Sequence, residues 1–279
     1  MDIILVNPQL PENIGMVARA MLNFEILNLV IINPREKDFM IKAQSASCGA
    51  FEKLNLKVFP KVSQALQEYE ILIAFSARVR NLNKEIYDLK QLFNHLKSIS
   101  YTSRSVVKTS KIKHPRIGVL FGQENNGLCN EDVAISNLVV NIDCNPNFSS
   151  LNLSQAVGLF CYEYHNFIKE QNAYITAKNK LDEETIKNLG NKASCNQLNI
   201  NIHKNKRTQP STLAPYKEVE YFMNDLISKL EQRDFFSNNN RKQFTINNLR
   251  SLYAKAQLTE QEVKTLIGMN KMLFKDKSK

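Results

Sequence analysis

Three short polar segments hold the residues that could do chemistry, and each one follows an apolar stretch. They are residues 7–15 (NPQLPENIG), 121–128 (FGQENNGL) and 145–154 (NPNFSSLNLS). The second segment places two glycines around a carboxylate, which is typical of a tight turn whose backbone N–H groups can hold a ligand. In the third segment Ser149 or Ser150 is a natural helix N-cap, and a helix start favours a carboxylate or phosphate. The alternative interpretation is purely structural: the same segments would then be ordinary strand-to-helix turns and a helix N-cap that binds no ligand.

The first segment runs into a predicted helix that carries polar side chains. Asn13 and Arg19 could project toward a strand end, and Gly15 allows the helix to approach its neighbour closely. On pattern alone, a solvated surface residue is the favoured interpretation of Arg19.

The elements that must position these segments alternate between strand and helix. Five β-branched, nearly continuous apolar stretches predict strands buried on both faces. They are residues 3–6, 29–32, 71–75, 117–121 and 138–142. A helical pattern opens behind Pro11 and spans residues 12–24. This alternation predicts an α/β fold with a mostly parallel sheet, and such sheets bind ligands where the strands end.

The pattern changes after Ser150. An amphipathic helix is predicted up to about residue 168, which closes a first domain over residues 1–168. Residues 169–214 are rich in Asn, Lys and Thr and indicate a linker with little structure. Residues 215–279 predict two or three amphipathic helices, too few to bury their apolar stripes alone. We therefore expect them to pack on the main domain or on a partner subunit.

Length and composition exclude several classes of protein. The 279 residues and net charge of +10 fit one or two soluble domains with a polyanionic partner. The eight glycines form no G-x-G and no P-loop, which excludes a nicotinamide-type Rossmann fingerprint and a Walker phosphate site. The five cysteines and four histidines are scattered, so we expect reduced thiols and no metal. Neither a signal peptide nor a membrane span is predicted, and we expect a cytoplasmic protein.

The positive charge is unevenly distributed along the chain. Residues 89–123 carry seven bases and no acid, whereas residues 124–165 carry five acids and no base. Within the first of these stretches, residues 97–115 look like a long basic loop between two strands. Such a loop is either a solvated excursion or a nucleic-acid contact. The candidate RNA-binding residues are Lys97, Arg104, Lys108, Lys111, Lys113 and Arg116.

The three polar segments together resemble one family. Their order and spacing are similar to the three motifs of the SPOUT superfamily of RNA ribose 2′-O-methyltransferases. The closest resemblance is to the TrmJ branch, which modifies cytidine or uridine at position 32 of tRNA. The resemblance covers residues 1–168 and resumes at residues 247–256, which look like the helical extension of that branch.

The resemblance implies a fold and a cofactor that spacing alone would not indicate. SPOUT domains contain a trefoil knot, a rare exception to unknotted chains. They act as homodimers, use no metal and bind S-adenosylmethionine in the knot. The implied cofactor-binding residues here are Ser76, Ala77, Leu120, Phe121, Gly122, Ile142, Ser149, Ser150 and Leu151.

The resemblance also implies a catalytic group and a substrate. The group comprises Asn13, Arg19, Glu124, Ser150 and Asn152. We interpret Arg19 mainly as an electrostatic partner of the ribose oxygen, since a guanidinium is a poor base at neutral pH. The implied substrate is tRNA. The alternatives are another tRNA position, ribosomal RNA, or an RNA-binding scaffold without transfer.

Two positions depart from the pattern of the branch. Gln123 stands where arginine is usual, which removes a positive charge near the RNA. Phe75 stands where a small hydroxyl residue is usual, which alters details of the adenosine pocket.

Overall fold

The computed structural model describes residues 1–78, 82, 84–104, 115–190, 212–236 and 239–274. Within these residues the chain forms one sheet with helices on both faces. The strands are β1 (Asp2–Val6), β2 (Asn28–Ile32), β3 (Asn55–Phe59), β4 (Ile71–Phe75), β5 (Ile86–Tyr87), β6 (Ile117–Phe121) and β7 (Leu138–Val140). The helices are α1 (Pro11–Asn23), α2 (Phe39–Ala46), α3 (Val62–Ala65), α4 (Leu89–Arg104), α5 (Asn130–Ile135), α6 (Leu153–Gly190), α7 (Tyr216–Gln232), α8 (Asn239–Lys255) and α9 (Glu260–Leu273).

The sheet has the strand order β3-β2-β1-β6-β4-β7-β5, and every neighbouring pair is parallel. The predicted α/β fold with a mostly parallel sheet is therefore confirmed. Strands β1, β6, β4 and β7 are consecutive neighbours at its centre. Because parallel strands end at the same edge, the loops after these four strands meet there, and they include all three polar segments.

Both faces of the central strands are buried, which explains their continuous apolarity. Ile3 and Leu5 point into a core with α1 and α6, whereas Ile4 and Val6 point into a second core. The second core lies on the other face of the sheet, with Leu120 among its fully buried residues.

The structure adds two strands to the five predicted ones. Strand β3 lies at the sheet edge and is largely exposed, so it lacks the continuous apolar signal of a central strand. Strand β5 has only two residues, too few for any pattern. The trefoil knot remains a prediction from the resemblance.

The predicted linker over residues 169–214 is wrong in its first half. Helix α6 continues to Gly190 as one helix of 38 residues, about 57 Å long. No proline or glycine interrupts the chain between Gly158 and Gly190, so the helix has no reason to stop at residue 168. Residues 191–211 lie outside the described residues.

The predicted basic loop is also partly helical. Helix α4 extends to Arg104, so Lys97 and Arg104 are helix residues rather than loop residues. Residues 105–114, with Lys108, Lys111 and Lys113, lie outside the described residues.

Helices α7, α8 and α9 form an extension with an apolar core of its own. Phe222, Ile246 and Val263 are buried in it, one from each helix. The extension also docks on the sheet domain, since the backbone N–H of Tyr216 donates to the carbonyl of Tyr69 at 2.8 Å. The C-terminal helices were expected to pack on the main domain or on a partner subunit, and in the structure they pack on the main domain of the same chain.

Among the described helices, none has the length and apolarity needed to cross a bilayer. Across the same residues, no three His, Cys, Asp or Glu side chains are grouped closely enough to hold a metal ion.

Candidate active site

A cavity of about 350 Å³ lies at the carboxyl edge of the central strands. Its walls are the loops that follow β4, β6 and β7 and the segment that leads into α6. The predicted cofactor residues that line it are Ser76, Ala77, Phe121, Gly122, Ile142, Ser149, Ser150 and Leu151. The volume is within the range of small-molecule sites.

Leu120 is the exception among the predicted cofactor residues. It is fully buried in the second core and is absent from the cavity lining. It occupies the strand position before Phe121, and alternate strand residues face opposite sides of the sheet. Its side chain therefore does not face the cavity, and its role in cofactor binding stays a prediction.

The loop after β6 closes in a tight turn. The backbone N–H of Gly127 donates to the carbonyl of Gln123 at 2.8 Å, and Gly127 has a φ of 64°. A Cβ on Gly122 would lie 2.0 Å from the backbone of Gly127, so this position admits no side chain without movement. The glycines therefore allow the loop to fold over the cavity and bring Glu124 against α1.

Glu124 is held by three hydrogen bonds from the start of α1. Its carboxylate accepts from the backbone N–H groups of Gln9 at 2.8 Å and Leu10 at 3.1 Å. It also accepts from the Asn13 side-chain amide at 2.9 Å. Because both oxygens of Glu124 are occupied, this carboxylate fixes the first polar segment against the second.

The network continues into the third polar segment. The side-chain amide of Asn152 donates to Asn13 Oδ1 at 3.1 Å, while Asn152 Oδ1 accepts from the backbone N–H of Ser154 at 2.9 Å. Asn152 is thus the residue that caps α6, and the predicted cap at Ser149 or Ser150 is wrong. Ser149 and Ser150 line the cavity instead. The chain Glu124–Asn13–Asn152 joins all three motifs.

Arg19 lies apart from this network. Its side chain is exposed, and its guanidinium donates to Cys48 Sγ at 3.3 Å. Arg19 is six residues beyond Asn13, which places the two side chains about 120° apart around α1 and about 9 Å apart along it. The two side chains therefore face different surroundings, and Arg19 does not line the cavity of its own chain.

The two departures from the family pattern have defined surroundings. Gln123 accepts a hydrogen bond from the Gln9 side chain at 2.8 Å, and Gln9 in turn accepts from Asn125 at 3.0 Å. Phe75 stacks on Phe121 with ring centroids 4.6 Å apart, and both rings line the cavity. At position 123, hydrogen-bonded amide side chains thus stand where the family has a positive charge. At position 75, the phenylalanine gives the cavity a wall of two stacked aromatic rings, which we call the aromatic floor.

Lys97 and Arg116, the two candidate RNA-binding residues whose side chains the structure describes, do not line the cavity. Arg116 precedes β6 and lies at the opposite edge of the sheet, where it pairs with Glu68 and with Asp2 at 3.7 Å. Lys97 lines a separate groove between α4 and α6 that also contains Glu163 and Glu170. The two residues were predicted to share one basic surface, because local sequence encodes neither the direction of β6 nor the extent of α4.

Two polar residues at the site were not assigned a role from the sequence. Arg78 lines the cavity and is the only base among its described lining residues. Gln9 donates to Glu124 and contacts the loop after β6. The signal for Arg78 was its position directly after Ser76 and Ala77, whereas nothing in the local pattern singles out Gln9.

The fold and the cavity define a class of protein before any comparison is made. A parallel α/β sheet with an aromatic and small-residue cavity at its carboxyl edge is typical of enzymes that bind a nucleoside-like cofactor. Comparison with known proteins narrows this class. The model of the SpoU rRNA Methylase family matches residues 1–162.

Two relatives and one solved structure match nearly the whole chain. A Haemophilus influenzae protein named as an uncharacterized tRNA/rRNA methyltransferase is 28% identical over 96% of this chain and 91% of its own. The tRNA (cytidine/uridine-2′-O-)-methyltransferase TrmJ of Cronobacter sakazakii is 28% identical over 96% of this chain and 93% of its own. The crystal structure of TrmJ from Z. mobilis is 28% identical, covers 98% of this chain and 99% of that one, and has a TM-score of 0.74.

This chain belongs to the SpoU rRNA methylase family. It is an RNA 2′-O-methyltransferase with the SPOUT fold, and enzymes of this family take their methyl group from S-adenosylmethionine. The family resemblance of the three motifs is thereby confirmed.

Proposed function

We propose that this protein methylates the ribose 2′-hydroxyl of nucleotide 32, cytidine or uridine, in tRNA. The observation that carries the proposal is the Glu124–Asn13–Asn152 network, which joins the three motifs, two of which line one cavity. The match to TrmJ proteins along nearly the whole chain, extension included, supports tRNA as the substrate. Position 32 rests on the resemblance to the TrmJ branch.

The cavity fits the cofactor on two grounds. Phe75 and Phe121 provide an aromatic floor, which suits an adenine ring. Ala77 and Gly122 are small, so a ligand can approach the backbone at the ends of β4 and β6. S-adenosylmethionine supplies an activated methyl group on a sulfonium when bound.

The reaction needs residues for two roles: some hold the loops around the cavity in place, and others stabilise the reacting oxygen. Glu124, Asn13 and Asn152 hold the loops in register and set the shape of the cavity. The 2′-hydroxyl must be aligned with the methyl, and the negative charge that develops on its oxygen must be stabilised. A guanidinium is suited to the second task because it stays charged and offers a fork of donors.

Arg19 does not line the cavity of its own chain, so it can act only at the cavity of another chain. It lies on an exposed face of α1, turned away from Asn13. We propose a homodimer in which Arg19 of each subunit serves the cavity of the other. In that arrangement the apolar residues exposed on this side, Met16 of α1 and Leu159 and Tyr162 of α6, belong to the subunit interface.

The test is methylation of tRNA transcripts that differ at one atom. We expect transfer of labelled methyl to a tRNA with an ordinary ribose at position 32. A matched tRNA with 2′-deoxycytidine at that position should accept none. Equal labelling of the two would show that another nucleotide is the target, and labelling of ribosomal RNA alone would contradict a tRNA substrate. Mapping of 2′-O-methyl sites in cells with and without the gene then checks the assignment in vivo.

A further inference from the structure

The loop between β4 and β5 lines the cavity at one end and enters the protein interior at the other. Ser76, Ala77 and Arg78 line the cavity. The backbone N–H of Ser76 donates to the carbonyl of Val140 at 3.0 Å, which attaches this end to β7. Leu82, four residues beyond Arg78, is 4% exposed and packs in the second core. Ser76 thus attaches one end of the loop to β7, and Leu82 attaches the other end to the core.

Helix α8 of the extension contacts this loop directly. The Ser251 hydroxyl donates to the carbonyl of Leu82 at 2.8 Å, and Ser251 is 2% exposed. A helical serine or threonine commonly bonds the carbonyl one turn back in its own helix, as Thr245 of α8 does to Arg241. Ser251 bonds instead to a residue 169 positions away. Its hydroxyl is thus used for a tertiary contact with the loop.

Two further contacts fix α8 on the elements around the loop. The side chain of Asn137 donates to the carbonyl of Ala254 at 2.9 Å, and the side chain of Asn247 donates to Glu131 at 3.2 Å. Asn137 follows α5 and Glu131 lies in it, so α8 docks along α5. Helix α5 comes directly after the loop that carries Glu124. The extension therefore contacts the elements behind two cavity walls without contributing a residue to the cavity.

We propose that helix α8 is a clamp for the cofactor loop and that Ser251 is a positioning residue for S-adenosylmethionine binding. The proposal rests on the proposed function, because it takes the cavity over residues 76–78 to be the cofactor site. With the Ser251 bond in place, Ser76 and Ala77 are held in the conformation that lines the cavity. Without it, the loop samples other positions, and binding must select among them.

Coupling between two sites is reciprocal. If α8 favours the cofactor-binding form of the loop, bound cofactor must favour the docked form of α8. The clamp thus predicts an effect of cofactor on a helix that has no residue in the cavity. In a helix that is not coupled to the loop, bound cofactor slows only the exchange that requires global unfolding, and local opening is unchanged.

The first test compares two serine-to-alanine changes in the full-length protein. Ser251→Ala removes the clamp hydroxyl, and Ser228→Ala removes an exposed hydroxyl from α7 of the same extension. Titration calorimetry with S-adenosylmethionine, without RNA, should give a Kd raised about fivefold to tenfold for Ser251→Ala and unchanged for Ser228→Ala. Equal affinity of folded Ser251→Ala and wild-type protein would overturn the clamp and leave the proposed function standing.

The second test uses the wild-type protein and does not depend on any variant folding. Hydrogen exchange of α8 amides is measured with and without saturating S-adenosylmethionine. We expect slower exchange through local opening of α8 when cofactor is bound. Unchanged exchange in α8 while the wild type binds cofactor would overturn the clamp alone. Failure of the wild type to bind cofactor would overturn the proposed function and the clamp together.

Discussion

At the scale of single residues, the motif side chains separate into those that hold the site and those that can act in it. The oxygens of Glu124 and of Asn13 accept hydrogen bonds within the network. Asn13 is 3% exposed, which keeps it from direct contact with a large substrate. We therefore regard these residues as a frame and assign the electrostatic role in transfer to Arg19.

Replacement of Arg19 by alanine tests that assignment. We expect Arg19→Ala to lower single-turnover methylation at least ~100-fold, roughly 3 kcal/mol, because a donor to the developing oxyanion is lost. Cofactor affinity should change little, since Arg19 does not line the cavity of its own chain. The measurements are rapid-quench methylation with enzyme in excess and calorimetry with cofactor alone.

Cys48 offers the matched control for this prediction. Cys48→Ala removes the thiol that accepts from Arg19 and leaves the guanidinium in place. We expect its single-turnover rate to stay within a few-fold of the wild type. A near-normal rate in Arg19→Ala would remove Arg19 from the catalytic group.

At the scale of elements, a partly buried lysine caps the carbonyl end of α5. Lys84 Nζ donates to the carbonyls of Val133 at 2.8 Å and Ala134 at 2.9 Å, and also to that of Ser136. Burial and then the positive charge of Lys255 lower the pKa of Lys84 to about 7. The carbonyl acceptors favour the charged form and oppose this decrease. Lys84 therefore links the cofactor loop to α5 through a group that titrates near neutral pH.

The lowered pKa of Lys84 predicts a pH-dependent stability. Between pH 7 and the ordinary value of 10.5, the folded protein binds fewer protons at this lysine than the unfolded chain does. The free energy of unfolding should therefore rise with pH in this window, by up to ~1.4 kcal/mol per unit. Urea unfolding at pH 7.5 and 9 should show a smaller rise in Lys84→Met than in the wild type.

An exposed lysine provides the control for this measurement. Lys53→Met removes a solvated ammonium near the sheet edge and should keep the pH dependence of the wild type. The same pH dependence in Lys84→Met and Lys53→Met would mean that Lys84 titrates alike in the folded and unfolded states.

The elements that could be predicted from sequence are those with a strong local signal. The five central strands are buried on both faces, so their apolarity is continuous and their positions were predicted within one or two residues. The edge strand β3 and the two-residue β5 lack that signal. The polar second half of α6 resembles a linker in composition, and only the absence of proline and glycine indicates a helix.

The site could be predicted as a set of motifs but not as a geometry. The family resemblance pointed to Asn13, Glu124 and Asn152, but not to the hydrogen bonds that join them, because these bonds span more than 100 positions. Arg116 was placed near the RNA because of its charge. Its pairing with Asp2 at the far sheet edge depends on strand order, which no local pattern encodes.

At the scale of the whole molecule, the proposed homodimer needs two chains to complete each site. Two defects in different chains should therefore complement each other in a mixed dimer. Ala77→Trp fills the cavity at an exposed lining position, and Arg19→Ala removes the guanidinium. Each variant alone should be inactive.

Co-expression of the two variants should restore about a quarter of wild-type activity. Half of the random dimers are mixed, and each mixed dimer pairs one intact cavity with one intact Arg19. The measurement is methylation by the purified mixture, compared with equal amounts of each variant expressed alone. A mixture as inactive as its components would place Arg19 in the cavity of its own chain.

The bond between Ser251 and Leu82 also bears on when activity can begin during synthesis. At roughly 5–20 residues per second, the 169 positions between the two residues correspond to about 8–34 s of translation. During that interval the cofactor loop already exists on the ribosome, but the helix that contacts it does not. A nascent chain therefore carries all three motifs long before its cofactor loop is clamped, and methylation competence should appear only near the end of translation.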